Sequence, residues 1–460
     1  MKNKILFILI VFLNFGVFGQ KQILNYQSFI STVLQYHPIA VKAGLRPKMG
    51  EAKVLKAKGG FDVKLKGSIN QKYFEQKEYF SYQNYGLEIP TWFGIRLNGG
   101  YSNNHGVFIN PEKSTSNTDL WNAGLSVNLG NGLWIDKRRA ELKQAKIYQE
   151  SSLLEQQLIL NQLFYDASIA YWEWYKAYHK AQIYQSSLVI VQQRFSNIKQ
   201  SCNAGDKAQI DTLKVYIQLQ NRQLDIEKSI LELKNKQAKL EIFLWKEGVV
   251  PLEISKKTSP PDYQDNIEEI TPVLTHPDSA VHNHPQFLYY QNNINIAKIE
   301  TRLKREQLKP KIELRYNVLS NGNLNTLAEN HNIENYKWGA GISYNLFTRK
   351  ERGMLKIQEL KLREKGLTLA GEQAEVHYKL QASYNSVQSL FEQVKTSKNT
   401  AEGYQLLFEA EQHLYNVGES TLFLVNTRDK DRVKSLINLL DIIYKKEQAQ
   451  ANYHYQTMRW

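Results

Sequence analysis

Three histidines lie close together in the sequence and are the strongest candidates for metal-ion chemistry. They are His276, His282 and His284, and imidazole nitrogen is a common ligand of zinc and related ions. Pro277 and Pro285 stand beside them, and a proline-rich segment is typical of a linker. We therefore interpret these histidines as linker residues and predict no metal site.

The other sequence motifs of catalysis and cofactor binding are absent. The sequence contains no glycine-rich phosphate loop, no Cys-x-x-Cys pair, no His-Glu-x-x-His and no Gly-x-Ser-x-Gly. Its single cysteine, Cys202, cannot form an intrachain disulfide, and we interpret it as a small residue near a loop. We expect no enzymatic activity and no cofactor.

Basic residues outnumber acidic residues and give the chain a net charge of +14. A charge of this size could indicate nucleic-acid binding, but the 45 acidic residues are interleaved with the basic ones along helical faces. We interpret the excess as a solvated surface and predict no nucleic-acid partner. Attraction to anionic lipid headgroups remains the alternative.

The first residues predict export from the cytoplasm. Lys2 and Lys4 precede an almost wholly apolar run from Ile5 to Phe18, which is typical of a secretory signal peptide over residues 1–19. No other stretch approaches the ~18 apolar residues of a membrane-spanning helix. Any crossing of a membrane is therefore expected from β-strands.

The rest of the sequence contains the same order of elements twice. The first copy opens at His37-Pro38 and the second at His284-Pro285. Each continues with a helix, strands, a long helix, a glycine break and a shorter helix. We predict a first structural repeat over residues 20–257, a linker over 258–283 and a second repeat over 284–460.

Four segments have the alternation of apolar and polar residues that predicts β-strands. They begin near Phe61, Trp121, Lys311 and Trp338, and each has about 9 to 10 residues, the length of a tilted strand that crosses a bilayer. A half-buried sheet of a soluble protein shows the same alternation, so the pattern alone leaves both structures open. If the strands cross a membrane, the apolar face is expected to contact lipid through Val63, Leu125, Leu314 and Ile342.

Four strands cannot close a membrane barrel, because the smallest such barrels have about eight. Several chains would therefore have to contribute strands to one barrel. A further stretch, Leu87–Leu97, also alternates but is interrupted by Pro90. This stretch is the candidate for an additional hairpin.

Two long segments, from Asp136 to about Ser201 and from Arg349 to about Val417, lack proline and predict helices on the order of 100 Å long. A shorter helix follows each of them after a break at Gly205 or Gly418. Glycine adopts the left-handed conformation that ends a helix. We predict that the two breaks are turns at the tips of two helical hairpins.

The helix after Gly205 carries two apolar heptad series on opposite sides. One series contains Ile210, Ile217, Leu224, Leu231, Ala238 and Trp245, and the other contains Leu219, Ile226, Leu233 and Leu240. A helix that stands in a ring of helices needs a neighbour on each side, and the polar residues between the two series favour this arrangement. A helix buried in a thick bundle is the alternative.

With this order of elements, the sequence resembles the TolC-like outer-membrane efflux and secretion channels. The resemblance rests on the duplication, the two His-Pro openings, Pro310 before the third strand and the junction from Gly132 to Ala140. The two breaks also resemble the family's Arg-Tyr/Phe…Gly turn. They are Arg194-Phe195…Gly205 and Leu414-Tyr415-Asn416-Val417-Gly418.

The resemblance implies an α+β membrane protein that assembles as a homotrimer in the cell outer membrane. Four strands per chain would close a trimeric 12-stranded outer-membrane β-barrel, and the helices would continue it as a long periplasmic α-helical barrel. The implied function is the exit duct of a tripartite efflux pump or type I secretion system. The implied partners are outer-membrane lipid, a periplasmic adaptor protein and an inner-membrane transporter.

The resemblance also points to residues near the second turn. In well-known members, acidic residues six and nine places after the second tip glycine constrict the closed mouth. The residues at these places here are Leu424 and Thr427, so an acidic gate is not expected there. Asp211, six residues after Gly205, is the remaining candidate for an acidic ring.

A non-channel periplasmic coiled-coil protein, acting as a structural spacer or an adaptor, is the competing hypothesis. An adaptor would also have long helical hairpins. Its strand region, however, should resemble small soluble modules rather than hairpins of membrane-crossing length duplicated in step with the helices. Partition into the outer membrane as a heat-resistant trimer would distinguish the channel from the adaptor.

Overall fold

The computed structural model describes residues 22–115, 119–255, 257–263, 284–321 and 334–459. The predicted signal peptide and residues 264–283 of the predicted linker lie outside the described residues. The described residues fall into two compact units. The sheet unit draws on Lys42–Ile159 and Ala280–Tyr378, and the helical unit draws on Met1–Val41, Leu160–Ser279 and Lys379–Trp460.

Seven α-helices lie within the described ranges. They are α1 (Tyr26–Tyr36), α2 (Pro38–Lys58), α3 (Lys137–Asn203), α4 (Gln209–Glu241), α5 (Pro285–Glu306), α6 (Arg349–Asn416) and α7 (Leu422–Thr457). The predicted long helices are confirmed, because α3 has 67 residues and α6 has 68. Neither contains proline, and both are rich in good helix formers such as Gln, Lys, Glu, Leu and Ala.

Six long strands of the sheet unit form one antiparallel sheet. They are β2 (Lys64–Phe74), β3 (Lys77–Pro90), β4 (Ile95–His105), β5 (Leu120–Gly130), β9 (Lys311–Asn321) and β10 (Tyr336–Ser343). Their order in the sheet is β10-β9-β5-β4-β3-β2, so β10 and β2 are the edge strands. The helical unit adds two short pairs, β1 (Gln22–Ile23) with β8 (Thr258–Ser259) and β6 (Trp245–Lys246) with β7 (Val250–Pro251).

The prediction of four strands per chain is wrong, because β3 and β4 bring the described sheet to six. The stretch 87–97 contains the turn between them, and Pro90 ends β3 rather than interrupting a strand. These two strands escape a search for strict alternation because Ser81, Gln83 and Gly99 occupy positions where apolar residues would complete the pattern.

The two His-Pro openings have the same local structure. His37 and His284 have extended backbones, and each is followed by a proline in the first turn of a helix. Nδ1 of His37 accepts a hydrogen bond from the Ile39 amide at 3.2 Å, and Nδ1 of His284 accepts one from the Gln286 amide at 3.3 Å. Both histidines therefore cap the first turn of a helix, α2 or α5.

The core of the helical unit is aromatic. Phe29, Tyr171, Trp174 and Tyr175 are each at most 1% exposed and pack against α7 and the end of α4 through Leu440 and Leu240. Beside them the Tyr26 hydroxyl lies 2.8 Å from the Ser168 hydroxyl, and burial raises the pKa of Tyr26 to about 12. Tyr26 is therefore a neutral structural group at physiological pH.

Within the described residues, none of the helices is both long enough and apolar enough to cross a membrane.

Candidate functional site: two helical turns, a buried charged cluster and a two-faced sheet

The two predicted tip glycines end their helices in the same way. Gly205 follows α3 with a φ of +88°, and Gly418 follows α6 with a φ of +87°. The amides after each helix point back into its last turn: Gly205 N–H donates to Cys202 O at 3.1 Å and Asp206 N–H donates to Ser201 O at 2.9 Å. Gly418 and Glu419 donate in the same pattern to Tyr415 and Leu414, at 3.2 and 2.9 Å. This is the left-handed C-cap in which glycine is the favoured residue.

The three candidate aperture residues lie in the helices that follow these turns. Asp211 is in the first turn of α4, where its carboxylate forms an ion pair with Lys214 at 3.1 Å. Leu424 is 37% exposed in the first turn of α7, and the Thr427 hydroxyl donates to the Phe423 carbonyl at 2.9 Å. Asp211 thus already has a cationic partner on its own helix, whereas Leu424 and Thr427 add no charge. Their role in an aperture stays a prediction.

A buried charged cluster lies about three to four helical turns from these glycines and joins α3, α4, α6 and α7. Its centre is Asp429, which has no exposed surface. The Asp429 carboxylate accepts a hydrogen bond from Arg432 Nη2 at 3.0 Å and one from Gln218 Nε2 at 3.4 Å, and it lies 3.9 Å from Arg194 Nη1. We call these four residues the Asp429 cluster.

Two further contacts tie the Asp429 cluster to its surroundings. Arg194 Nη1 donates to the Asn426 amide oxygen at 2.9 Å, and Arg432 Nη1 donates to the Gln405 amide oxygen at 3.4 Å. The guanidinium groups of both arginines also lie over the ring of Phe408, at 5.8 and 4.9 Å from its centroid. Each of the four helices therefore contributes a polar or aromatic group to one buried network.

Burial lowers the pKa of Arg194, and the charge of Asp429 opposes this shift. Arginine stays protonated at physiological pH, so two buried cations share one buried carboxylate. Among the described residues, Arg194 Nη2, Arg432 Nε and Gln218 Oε1 are buried atoms without a hydrogen-bond partner. The cluster therefore holds the four helices together with an incomplete set of hydrogen bonds, and such a network depends strongly on its one anion.

Sequence reasoning missed the Asp429 cluster. It identified Arg194 only as the opening of the first break motif, and it gave Asp429 no role. The available signal was the pair Asp429 and Arg432 in α7, whose i,i+3 spacing lets them meet on one helix face.

The six-stranded sheet has one apolar face that is continuous from edge to edge. Cross-strand register places the side chains of one face opposite each other, as in the row Ile89, Leu97, Leu125, Tyr316 and Trp338. No Asp, Glu, Lys or Arg lies on this face in the described strands up to the bulge at Lys72. These apolar side chains are exposed, by 43% for Leu97 and 65% for Trp338. Part of this face is therefore exposed in the single chain.

The structure places three of the four predicted lipid-facing residues on this apolar face. Leu125, Leu314 and Ile342 lie in β5, β9 and β10 and are 42%, 36% and 75% exposed. Val63 lies one residue before β2, which starts later than predicted because Gly59–Phe61 form a 3₁₀ turn. Val63 is 56% exposed. Contact of these four residues with lipid stays a prediction.

The opposite face of the sheet is polar and carries interstrand ion pairs. Lys66 of β2 pairs with Glu88 of β3, and Arg96 of β4 pairs with Glu313 of β9 across the intervening strand β5. Amide side chains also meet there, since Asn98 Nδ2 donates to Asn317 Oδ1. The sheet therefore separates a charged, hydrogen-bonded face from an apolar one.

The two apolar series of α4 differ in burial. In the second series, Leu219 and Ile226 are each 8% exposed and Leu240 is fully buried, because they pack within the helical unit. In the first series, Ile217 is 53% exposed and Leu231 is 60% exposed. Trp245 lies beyond the end of α4, in β6. Within one chain, therefore, only one of the two series is buried.

Of the three histidines considered for metal binding, His284 is the one within the described residues. It is 3% exposed and caps α5, with its ring 5.3 Å from that of Phe287. His276 and His282 lie outside the described residues. The described part of the chain contains no group of three or more His, Cys, Asp or Glu residues arranged to hold a metal ion.

Comparison with known proteins is consistent with this architecture. Residues 276–452 match the sequence profile of the family described as Outer membrane efflux protein. No curated protein sequence matches the chain.

Several solved structures share the fold over most of this chain. VceC, an outer membrane protein of Vibrio cholerae, is 13% identical with a TM-score of 0.64, and the match covers 94% of this chain and 96% of VceC. The open state of the MtrE outer membrane channel of Neisseria gonorrhoeae is 11% identical with a TM-score of 0.66, covering 94% and 88%. The CmeC outer membrane channel of Campylobacter jejuni is 11% identical with a TM-score of 0.64, covering 94% and 85%.

Identities this low establish similarity of fold alone. The sequence profile over residues 276–452 and the shared fold over most of the chain confirm the predicted resemblance to the TolC-like outer-membrane channel family.

Proposed function

We propose that this chain is a subunit of an outer-membrane efflux or secretion channel. It acts as a passive trimeric exit duct that docks a periplasmic adaptor protein and an inner-membrane transporter. Transport by such a duct requires no catalysis and no cofactor. The observation that carries the proposal is the exposed apolar face of the sheet, which is six strands wide and, up to the bulge at Lys72, has no charged residue among the described strands.

Lipid is the environment that such a face fits best. A surface this large and apolar would drive aggregation in water, whereas a bilayer solvates it. The polar face with its interstrand ion pairs would then line the interior, as in outer-membrane barrels. An adaptor or spacer in the aqueous periplasm has no use for an exposed apolar sheet face.

The edges of the sheet support assembly from several copies. β2 and β10 each have one edge without a strand partner in the described chain. Open edges are not tolerated in the hydrocarbon region, so β10 of one copy would pair with β2 of the next. Three copies with six strands each give 18 strands rather than 12, and barrels of 16 to 18 strands enclose an aqueous channel.

The exposed apolar series of α4 supports the same assembly in the helical unit. Ile210, Ile217, Leu224 and Leu231 are all 48% exposed or more. They form one stripe at heptad spacing, which fits a neighbouring helix from a second copy. This arrangement is the ring of helices that the two series predict.

The turns at Gly205 and Gly418 are proposed as the periplasmic tips, where the adaptor docks and the duct opens. Asp211, Leu424 and Thr427 follow these turns and are proposed to line the aperture. Because Lys214 neutralises Asp211 and the other two residues are uncharged, the aperture would exclude solutes by size more than by charge. The Asp429 cluster would set how easily the four helices separate near the tips.

Fractionation and sizing test the proposed function. We expect the mature protein in the outer-membrane fraction, as an oligomer that resists unheated detergent and that short cross-linkers fix as three chains. A soluble periplasmic monomer or dimer would refute the channel and favour the coiled-coil adaptor. A membrane-bound monomer would refute the shared barrel.

A further inference from the structure

The polar face of the sheet carries a large excess of positive charge. Between the strand ends that connect to the helices and the bulge at Lys72, this face has seven basic residues and two acidic ones. The basic residues are Lys64, Lys66, Lys72, Arg96, Lys311, Arg315 and Lys337, and the acidic ones are Glu88 and Glu313. Each chain therefore contributes a net charge of +5 to this face, while the apolar face contributes none.

Both acidic residues already form ion pairs with basic neighbours. Glu88 pairs with Lys66, and Glu313 pairs with Arg96 and lies 3.5 Å from Arg315. Glu313 is thus shared by two guanidinium groups, which leaves one of their positive charges uncompensated. The carboxylates on this face cannot offset the remaining cations.

Besides Lys72, whose ammonium lies 4.6 Å from the centroid of the Tyr79 ring, three lysines on the polar face have no acidic partner. Within the described residues, Lys64, Lys311 and Lys337 form no ion pair, and all three are exposed. Gly339 and Gly341 follow Lys337 on the same face, and a Cβ added at either position would meet no atom within 4 Å. The space beside Lys337 is therefore open to solutes.

We propose that the strand region of the channel prefers anions, so that the cargo class is anionic solutes that carry carboxylate, phosphate or sulfate groups. This inference rests on the proposed function, because the polar face lines the transport path only in a closed barrel. Rings of Lys and Arg select anions in water-filled pores, and walls of low dielectric constant concentrate their field in the lumen. Three copies would place the uncompensated lysines around one lumen.

Conductance in planar bilayers of neutral phosphatidylcholine tests the preference. Trimers are inserted between two KCl solutions of different concentration, and the reversal potential gives the ratio of chloride to potassium permeability. The solutions are kept near 0.01 to 0.1 M, where the Debye length is about 30 to 10 Å and the lysine charges act across the lumen. We expect chloride to permeate several-fold better than potassium.

Two triple variants identify the source of the preference. Replacement of Lys64, Lys311 and Lys337 by glutamine lowers the net charge of the face from +5 to +2 per chain and should shift the permeability ratio most of the way towards that of the two ions in free solution. Replacement of the same three residues by arginine retains the charge and should retain the preference. An equal change in both variants would assign the effect to lost packing rather than to charge and would overturn the proposal.

Thiol labelling gives a second measurement that does not require open helical tips. Gly339→Cys is made in a Cys202→Ser background, so that one thiol lies on the polar face. Anionic and cationic methanethiosulfonate reagents are compared, each normalised to its rate with a free thiol in solution. The anionic reagent should react several-fold faster, and the Lys→Gln triple variant should reduce this difference.

The outcomes separate this inference from the function on which it rests. A stable conductance with no anion preference, together with equal labelling rates, would overturn the anion inference and leave the channel in place. Oligomers that insert into the membrane but neither conduct nor admit either reagent to the thiol introduced by Gly339→Cys would refute the channel and the inference together.

Discussion

Replacing Asp429 by asparagine should destabilise the helical unit more than any other isosteric change of a carboxylate near the turns. Asp429 is fully buried and lies within 3.0 Å of Arg432 Nη2, 3.4 Å of Gln218 Nε2 and 3.9 Å of Arg194 Nη1. The substitution preserves shape but removes the one negative charge. Two arginine side chains that are 9% and 10% exposed then remain without a counter-charge.

The expected loss of stability follows from the loss of the counter-charge to the two arginines. Breaking a buried ion pair by removing one partner costs about 3–5 kcal/mol, because the remaining charge stays desolvated. Both arginines lose their counter-charge, so Asp429→Asn should lower the free energy of unfolding by an amount within that range. Asp431→Asn makes the same chemical change two residues away, where the side chain is partly exposed and forms no ion pair within the described residues. The control should change stability by less than about 0.5 kcal/mol.

Two assays measure the effect. Denaturant unfolding of the detergent-solubilised protein gives the overall free energy, and hydrogen exchange of peptides covering residues 190–205 and 418–435 locates the change. A double-mutant cycle with Arg432→Gln should show a coupling of about 0.5–3 kcal/mol, because removing both charges leaves one buried arginine instead of two. If Asp429→Asn matches Asp431→Asn and exchange near the turns is unchanged, the cluster does not hold the four helices together.

Three further predictions concern the membrane face, the second turn and the first His-Pro opening. Leu125→Lys on the apolar face should lower the amount of assembled trimer much more than Asn128→Lys on the polar face, since lysine at the bilayer midplane costs about 2–4 kcal/mol. Equal amounts of trimer on an unheated gel would contradict the assignment of faces. Gly418→Val should reduce export while trimer abundance stays near normal, because a left-handed backbone costs a β-branched residue about 1–2 kcal/mol. Asparagine tolerates this backbone, so Gly418→Asn should export almost normally. Loss of the trimer in the valine variant would show that this glycine only ends the helix. Burial lowers the pKa of His37, so its neutral form stabilises the fold above the unfolded pKa of about 6.5 and this contribution is lost as the pH falls. His37→Asn retains a cap but cannot titrate, so its melting temperature should fall less between pH 7.5 and 5.5 than that of the unmodified chain. An equal fall in both proteins would exclude His37 as the titrating group.

The helices and their turns were predictable because their signals are local. Absence of proline, abundant helix formers and a single glycine at each break fix α3, α4, α6 and α7 to within a few residues. The left-handed conformation of Gly205 and Gly418 follows from the same local chemistry. None of these features depends on residues distant in sequence.

The number of strands was not predictable from alternation alone. β3 has Ser81 and Gln83 on its apolar face, and β4 has Gly99 there, so each strand breaks the pattern in its middle. Gly99 lies between Leu87 of β3 and Ala123 of β5, whereas Gln83 lies between Ile69 of β2 and Asn103 of β4. Pairing between strands therefore decides what a single strand's pattern leaves ambiguous.

The charged side-chain networks depend on contacts across very large sequence separations. Arg96 and Glu313 are 217 positions apart, and Arg194 and Asn426 are 232 positions apart. Composition and spacing contain no information about such pairs until the register of the sheet and the packing of the helices are known. The Asp429 cluster and the charge balance of the polar face are therefore results of the structure.

The two exposed apolar surfaces of this chain differ in the partners that they fit. The exposed series of α4 is a narrow stripe bordered by Lys214 and Glu227, so a second helix can cover it while these flanking charged groups stay in water. The sheet face is six strands wide, and up to the bulge at Lys72 it has no charged residue at all among the described strands. A protein partner of that width would have to bury an equally large uncharged surface, whereas lipid requires only that charge be absent. The same physical chemistry thus assigns the stripe to a second copy of the chain and the sheet face to the bilayer.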